Sequence, residues 1–142
     1  MALTAMWTHG NAVIPETPEL LNECKRFGFG TQVKLKRNTK QWFHVPMPTP
    51  VFLGGARQKL KRIFILSNST AGNECITRVH IFDNNNLIAD RGVFICGNRL
   101  TISSSNTILM DHTINFGLSV TMFIDAVFDV TFFFAGFGAD WE

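Results

Sequence analysis

The feature that most constrains this chain is a two-residue alternation through its most apolar stretch. Ile114, Phe116, Leu118, Val120, Met122 and Ile124 occupy even positions, while Thr113, Asn115, Gly117, Ser119 and Thr121 occupy odd ones. A helix would scatter these side chains around its axis, whereas an extended strand places the first set on one face and the second on the other. After a turn near Asp125-Ala126 the habit resumes, with Phe128, Val130, Phe132 and Phe134 on one face and Asp129, Thr131 and Phe133 opposite. The pattern predicts a long antiparallel hairpin with one dry face and one wet face. Asn115, Asp125 and Asp129 interrupt the stretch from Ile114 to Phe137, and each is costly in hydrocarbon, so it does not read as a membrane span.

Shorter pieces elsewhere repeat the habit. Cys75 to Phe82 is rich in β-branched residues and stops at Asp83-Asn84-Asn85-Asn86, residues that tolerate left-handed backbone. Leu87-Ile88-Ala89, Val93-Phe94-Ile95-Cys96 and Leu100-Thr101-Ile102 follow, separated by Asp90-Arg91-Gly92 and Gly97-Asn98. Closely spaced short strands predict an all-β fold, an antiparallel β-sandwich that is jelly-roll-like in strand count. At 142 residues with 46% apolar content, the chain 1–142 suffices for one such domain and one core. One short N-terminal helix is expected. Thr17 caps it, Pro18 opens it, Leu20, Leu21, Cys24 and Phe27 recur at helical spacing, and Gly28 ends it. The alternating Pro46, Pro48 and Pro50 suit an edge or crossover loop, because each removes a ladder donor.

Charge is unevenly laid out. Residues 25–62 hold ten of the thirteen basic residues and no acid, and the flanks on either side are acidic. Two readings follow. Lys34, Lys36, Lys59 and Lys61 together with Trp42 make an anion or nucleic-acid surface, with phosphate attraction from the ammonium groups and stacking from the ring. Alternatively the lysines line a solvated face or sheet edge, and nucleic acid is not the partner. So one-sided a segment also suits an acidic partner, including the acidic part of a second copy. Phe132, Phe133 and Phe134 put bulky rings on both faces of one strand, which points to a covering layer or a homo-oligomer interface.

The chemistry inventory is thin. No phosphate loop, dinucleotide fingerprint or nucleophile elbow is present. Cys24, Cys75 and Cys96 form no Cys-x-x-Cys pair, so buried thiols are expected rather than a disulfide or a metal centre. His9, His44, His80 and His112 are scattered singly, and the expectation is four separately satisfied side chains. A site assembled from Cys96, His80 and Asp111 is the kind of arrangement that only geometry reveals. No cofactor and no enzymatic activity are expected. The chain has fourteen phenylalanines, three tryptophans and no tyrosine, so sugar stacking would fall on Trp7, Trp42 or Trp141. The N-terminal residues lack a basic region and a sustained apolar run, which reads as cytoplasmic residence.

Several segments resemble a family of small uncharacterised bacterial proteins. They are Leu3-Thr4-Ala5-Met6-Trp7-Thr8-His9-Gly10-Asn11-Ala12-Val13, Trp42-Phe43-His44, Pro48-Thr49-Pro50, Val79-His80-Ile81-Phe82-Asp83 and Gly138-Ala139-Asp140-Trp141-Glu142. The resemblance spans most of the chain and implies a complete bacterial protein with no assigned activity, cofactor or catalytic residue. The function expected from the sequence is a non-catalytic binding or self-assembly module forming a homo-oligomer. The alternatives are anion or nucleic-acid binding through residues 25–62, and a sugar-binding or membrane-active toxin-like β-sandwich.

Overall fold

A computed structural model describes residues 3–70 and 74–142. The chain is all-β and antiparallel, with strands β1 (Thr4–His9), β2 (Ile14–Pro15), β3 (Leu21–Phe27), β4 (Gly30–Leu35), β5 (Thr39–Pro46), β6 (Phe52–Leu53), β7 (Ala56–Arg57), β8 (Lys59–Ser69), β9 (Cys75–Asp83), β10 (Asn86–Cys96), β11 (Thr107–Thr113), β12 (Leu118–Ala126) and β13 (Val130–Trp141). The first sheet has the order β11-β8-β13-β4-β3, with β1 also on β13; the second has the order β10-β9-β12-β5-β2; β6 and β7 form a separate small hairpin. From β4 onward the long strands change sheet at each step except β9 to β10. Both sheets feed one core, in which Val33, Leu60, Ile63, Phe132 and Trp141 of the first meet Phe43, Ile81, Val120 and Met122 of the second. Phe43 and Phe134 touch across the layers with ring centres 5.2 Å apart.

Period two holds in β12 and β13, but the two strands do not form the expected hairpin. β12 pairs with β5 and β9, whereas β13 pairs with β4, β8 and β1 in the other sheet. Residues 127–129 cross between layers, held to neighbouring loops where the Phe128 N–H donates to Glu74 (3.2 Å) and Asp129 accepts from the Arg37 N–H (2.9 Å). Within β13 the inward parity changes at a register shift between Phe134 and Gly136: Phe132 and Phe134 point inward before it, and Phe137, Ala139 and Trp141 after it. The same point divides the strand's other edge, where β4 covers residues 130–134 and β1 covers 136–141.

The expected N-terminal helix is absent. Only a 3-10 turn (Pro18–Leu20) forms, and Leu21 to Phe27 continue as the edge strand β3. The cause lies far along the chain. The buried Gln41 amide accepts from the Thr17 N–H and donates to the Thr17 carbonyl, both at 2.7 Å, so this segment is bonded alongside β5 as though it were a strand. The thiol expectation is also corrected. Cys75 and Cys96 are bonded as a disulfide, because the β9–β10 register sets them directly opposite with Cα atoms 4.3 Å apart. Cys24 is free and exposed, since its strand lies at the sheet edge. No helix among the described residues is long and apolar enough to cross a membrane.

Candidate functional site

A cavity of about 610 Å³ lies on the outer face of the first sheet. Register sets both its lining on β8, β11 and β13 and the Trp7–Gly138 pair that lies beside it. Trp7, Gly138, Phe64 and Thr107 are consecutive partners across β1, β13, β8 and β11, and Asp140, Arg62 and Leu109 form the next row. Directly opposed residues share a face, so these side chains emerge together. A Cβ on Gly138 would lie 2.6 Å from the Trp7 ring, so the indole rests flat on the strand at that glycine. Its plane is within 7° of Phe64, with ring centres 5.8 Å apart. Trp7 remains 43% exposed. Beside it, Arg62 Nη1 donates to Asp140 Oδ2 at 3.0 Å.

The far wall is the segment between β10 and β11, which contributes Ile102, Ser103 and Ser104. The buried Asn106 holds its shape: its side-chain amide donates to the carbonyls of Thr101 (2.9 Å) and Arg99 (3.3 Å), and its oxygen accepts from the Ser103 N–H (2.9 Å). Arg99 forms a two-way backbone bridge with Ser67 of β8 (3.0 and 2.8 Å), and the Gly97 N–H donates to the Ser69 hydroxyl (2.9 Å). The disulfide at Cys96 immediately precedes this wall. The groove therefore joins an apolar shelf, a donor–acceptor ion pair and a hydroxyl-rich rim on rigid supports. Its described lining contains no histidine or cysteine.

The residues singled out from sequence are not brought together. Lys34 lies on β4, 3.8 Å from Glu23, and Lys36 donates to the Glu19 carbonyl at 3.0 Å. Lys59 and Lys61 lie on β8, separated from β4 by β13. Lys59 is exposed, and Lys61 bonds Asp111 at 2.7 Å. That bond raises the Lys61 pKa and lowers that of Asp111. Trp42 belongs to the second sheet, where it packs on His80 (4.6 Å) and Phe123 (4.8 Å). Phe132 and Phe134 are core residues, and of the three phenylalanines only Phe133 faces outward, beside Phe29 at 5.7 Å. Acids from both flanks thus meet the basic segment within one molecule.

Two histidines do converge. Ile14, His44, Thr121, His80 and Asp90 are successive partners across the second sheet. His44 bonds Thr121 (2.8 Å) and Glu16 (3.0 Å), while His80 lies 3.3 Å from Asp90, which also accepts from Arg78 at 2.7 Å. Each ring is satisfied by its own neighbours. Among the described residues no group of three or more His, Cys, Asp or Glu side chains is placed to hold a metal ion. Cys96, His80 and Asp111 do not assemble, because Cys96 is in the disulfide and Asp111 is on Lys61.

Sequence reasoning picked out Trp7 but missed Arg62, Phe64, Leu109 and Asp140 as its neighbours. The available signal was Gly138, an interior strand glycine, which marks a place where another group approaches the backbone closely. A sequence model of a family of unknown function, DUF6623, matches residues 1–134, and the chain belongs to that family. No curated protein matches the chain. The likeness to an uncharacterised family therefore holds at that level.

Proposed function

We propose that this member of the DUF6623 family is a non-catalytic binding module, a jelly-roll β-sandwich whose groove beside Trp7 takes a saccharide. Strand order supports the architecture: β11-β8-β13-β4 in one sheet and β10-β9-β12-β5 in the other, with the chain changing sheet at every step from β4 but β9 to β10, is the order expected of two Greek keys in a jelly roll. The ligand class rests on one observation, the half-exposed Trp7 indole lying flat on Gly138 beside the Arg62–Asp140 pair. A sugar ring has an apolar C–H face that packs on an indole and edge hydroxyls that need both a donor and an acceptor. Arg62 supplies the donor, Asp140 the acceptor, and Ser103, Ser104 and Thr107 adapt at the rim. The only carboxylate in the described lining is engaged by Arg62, which supports retention of a ligand rather than bond cleavage.

A saccharide array followed by titration calorimetry tests this reading. Trp7→Ala is expected to weaken any captured glycan at least about tenfold, the transfer cost of a large apolar contact. Trp7→Phe should restore part of that loss. An array without a retained glycan, or equal binding by the Trp7→Ala variant, would refute it.

Self-assembly stands as a second reading on a different observation. Phe29 is 66% exposed, stacks on Phe27 at 4.8 Å and extends the outward Phe133 into an aromatic ridge. Light scattering on concentrated protein decides it, and a strict monomer removes it.

A further inference from the structure

We propose that the end of the molecule built from residues 47–58, 83–87 and 113–118 docks on an anionic lipid surface. Three otherwise separate loops are fused there. Asp83, itself buried, accepts the N–H groups of Asn115 (2.8 Å), Phe116 (3.0 Å) and Gly117 (3.3 Å). The Asn84 N–H donates to the Gly117 carbonyl at 2.7 Å. Leu118 bonds Met47 through its carbonyl (3.0 Å) and the Thr49 hydroxyl through its N–H (2.9 Å). This framework holds Phe52, Leu53, Leu87 and Phe116 outward at 60%, 44%, 51% and 66% exposure.

Four large apolar side chains on tied-down loops at one end of a sandwich are more than scattered surface residues. Charge selects the occupant. The Arg57 guanidinium lies 4.8 Å over the Phe52 ring, and neither Arg57 nor the exposed Lys59 joins an ion pair among the described residues. Of the acids at this end, Asp83 is buried in its three bonds and Asp111 is held by Lys61, which leaves Glu142 against the two cations Arg57 and Lys59. Rings that enter the acyl boundary with cations level with the headgroups fit an anionic bilayer.

Sedimentation with vesicles of phosphatidylcholine alone, and of phosphatidylcholine with phosphatidylserine, tests the proposal. The protein is expected to partition onto the phosphatidylserine vesicles and to be released by high salt. Phe52→Ala and Phe116→Ala should each weaken partitioning about tenfold. Arg57→Gln should weaken it about fivefold. These side chains are exposed, so the variants should keep the wild-type circular dichroism spectrum and melting point. Trp7→Ala should leave partitioning unchanged, which separates this surface from the saccharide groove. Failure to bind either vesicle, equal binding by the Phe52→Ala/Phe116→Ala pair, or sedimentation without lipid would overturn it, the last by showing that this end covers itself with a second copy.

Discussion

Reducing the Cys75–Cys96 bond should lower the melting temperature substantially. The crosslink joins residues 21 apart in sequence. Closing a loop of that size removes about 11 cal/mol/K from the unfolded ensemble, or about 3 kcal/mol at 25 °C. For 142 residues the unfolding entropy near the melting point is about 0.3 kcal/mol/K, so this stabilisation corresponds to a shift of about 10 °C. Calorimetric melts of the oxidised protein, the protein in a phosphine reductant and the Cys75→Ala/Cys96→Ala variant measure it. The reduced form should also show a larger denaturant m-value, because its unfolded chain is more expanded. A melting point within about 2 °C in all three forms would refute the reasoning, since it would mean that the unfolded hairpin is already closed without the bond. Disulfides persist in oxidising compartments and are rare in the cytosol.

Two glycines separate rigid from yielding contacts. In Gly10→Ala the new methyl would collide with the Phe134 carbonyl oxygen, a backbone atom in a central strand, and the cost is expected to be about 2–3 kcal/mol in a denaturant titration. Gly138→Ala meets only the half-exposed Trp7 ring, so the indole swings away; the cost should stay under about 1 kcal/mol, and the loss should appear in saccharide affinity instead. The Lys61–Asp111 pair predicts pH dependence on two limbs. The lowered Asp111 pKa makes its contribution complete above the unfolded carboxyl pKa, and it is lost as pH falls through the folded value. The raised Lys61 pKa makes its contribution complete below the unfolded ammonium pKa, and it is lost as pH rises through the folded value. Asp111→Asn should flatten both limbs in melts across pH, and unchanged limbs would contradict the pairing.

Alternation identified the dry side chains within β12 and the first half of β13, because a strand has only two faces and burial selects one; Phe116 and Phe128, counted with the inward set, lie in the flanking loops and are exposed at 66% and 56%. It carried no information about neighbours. Ile124 and Phe132 both point into the core, yet they belong to opposite sheets, because β12 pairs with β5 and β9 while β13 pairs with β4 and β8, and the residues that cross between them bond Glu74 and the Arg37 N–H. The helix expected after Thr17 failed for a related reason. Leu20, Leu21, Cys24 and Phe27 satisfy a helical period, but the Gln41 amide, 24 residues away, takes both backbone groups of Thr17. The cysteine pair was hidden in the same way, because only the β9–β10 register makes Cys75 and Cys96 neighbours.

The candidate groove shows why charge layout misleads when read along the chain. Residues 25–62 look like a surface awaiting an acidic partner, yet β8 is flanked by β13 and β11, which carry Asp140 and Asp111 to Arg62 and Lys61. Part of the basic segment finds its partner in the same molecule, Lys34 at Glu23, Lys61 at Asp111 and Arg62 at Asp140. The two pairs on β8 differ in surroundings rather than in kind. Asp111 is exposed at the edge strand, so its bond to Lys61 is an ordinary surface pair. Asp140 lies in the row next to Trp7 and lines the groove with Ile102, Ser103 and Ser104, and its side chain is only 16% exposed. A shielded ion pair strengthens its bonds to any ligand group that reaches it. The proposed site depends on Trp7 lying across Gly138, a contact made possible by β1 taking over the edge of β13 where β4 leaves it.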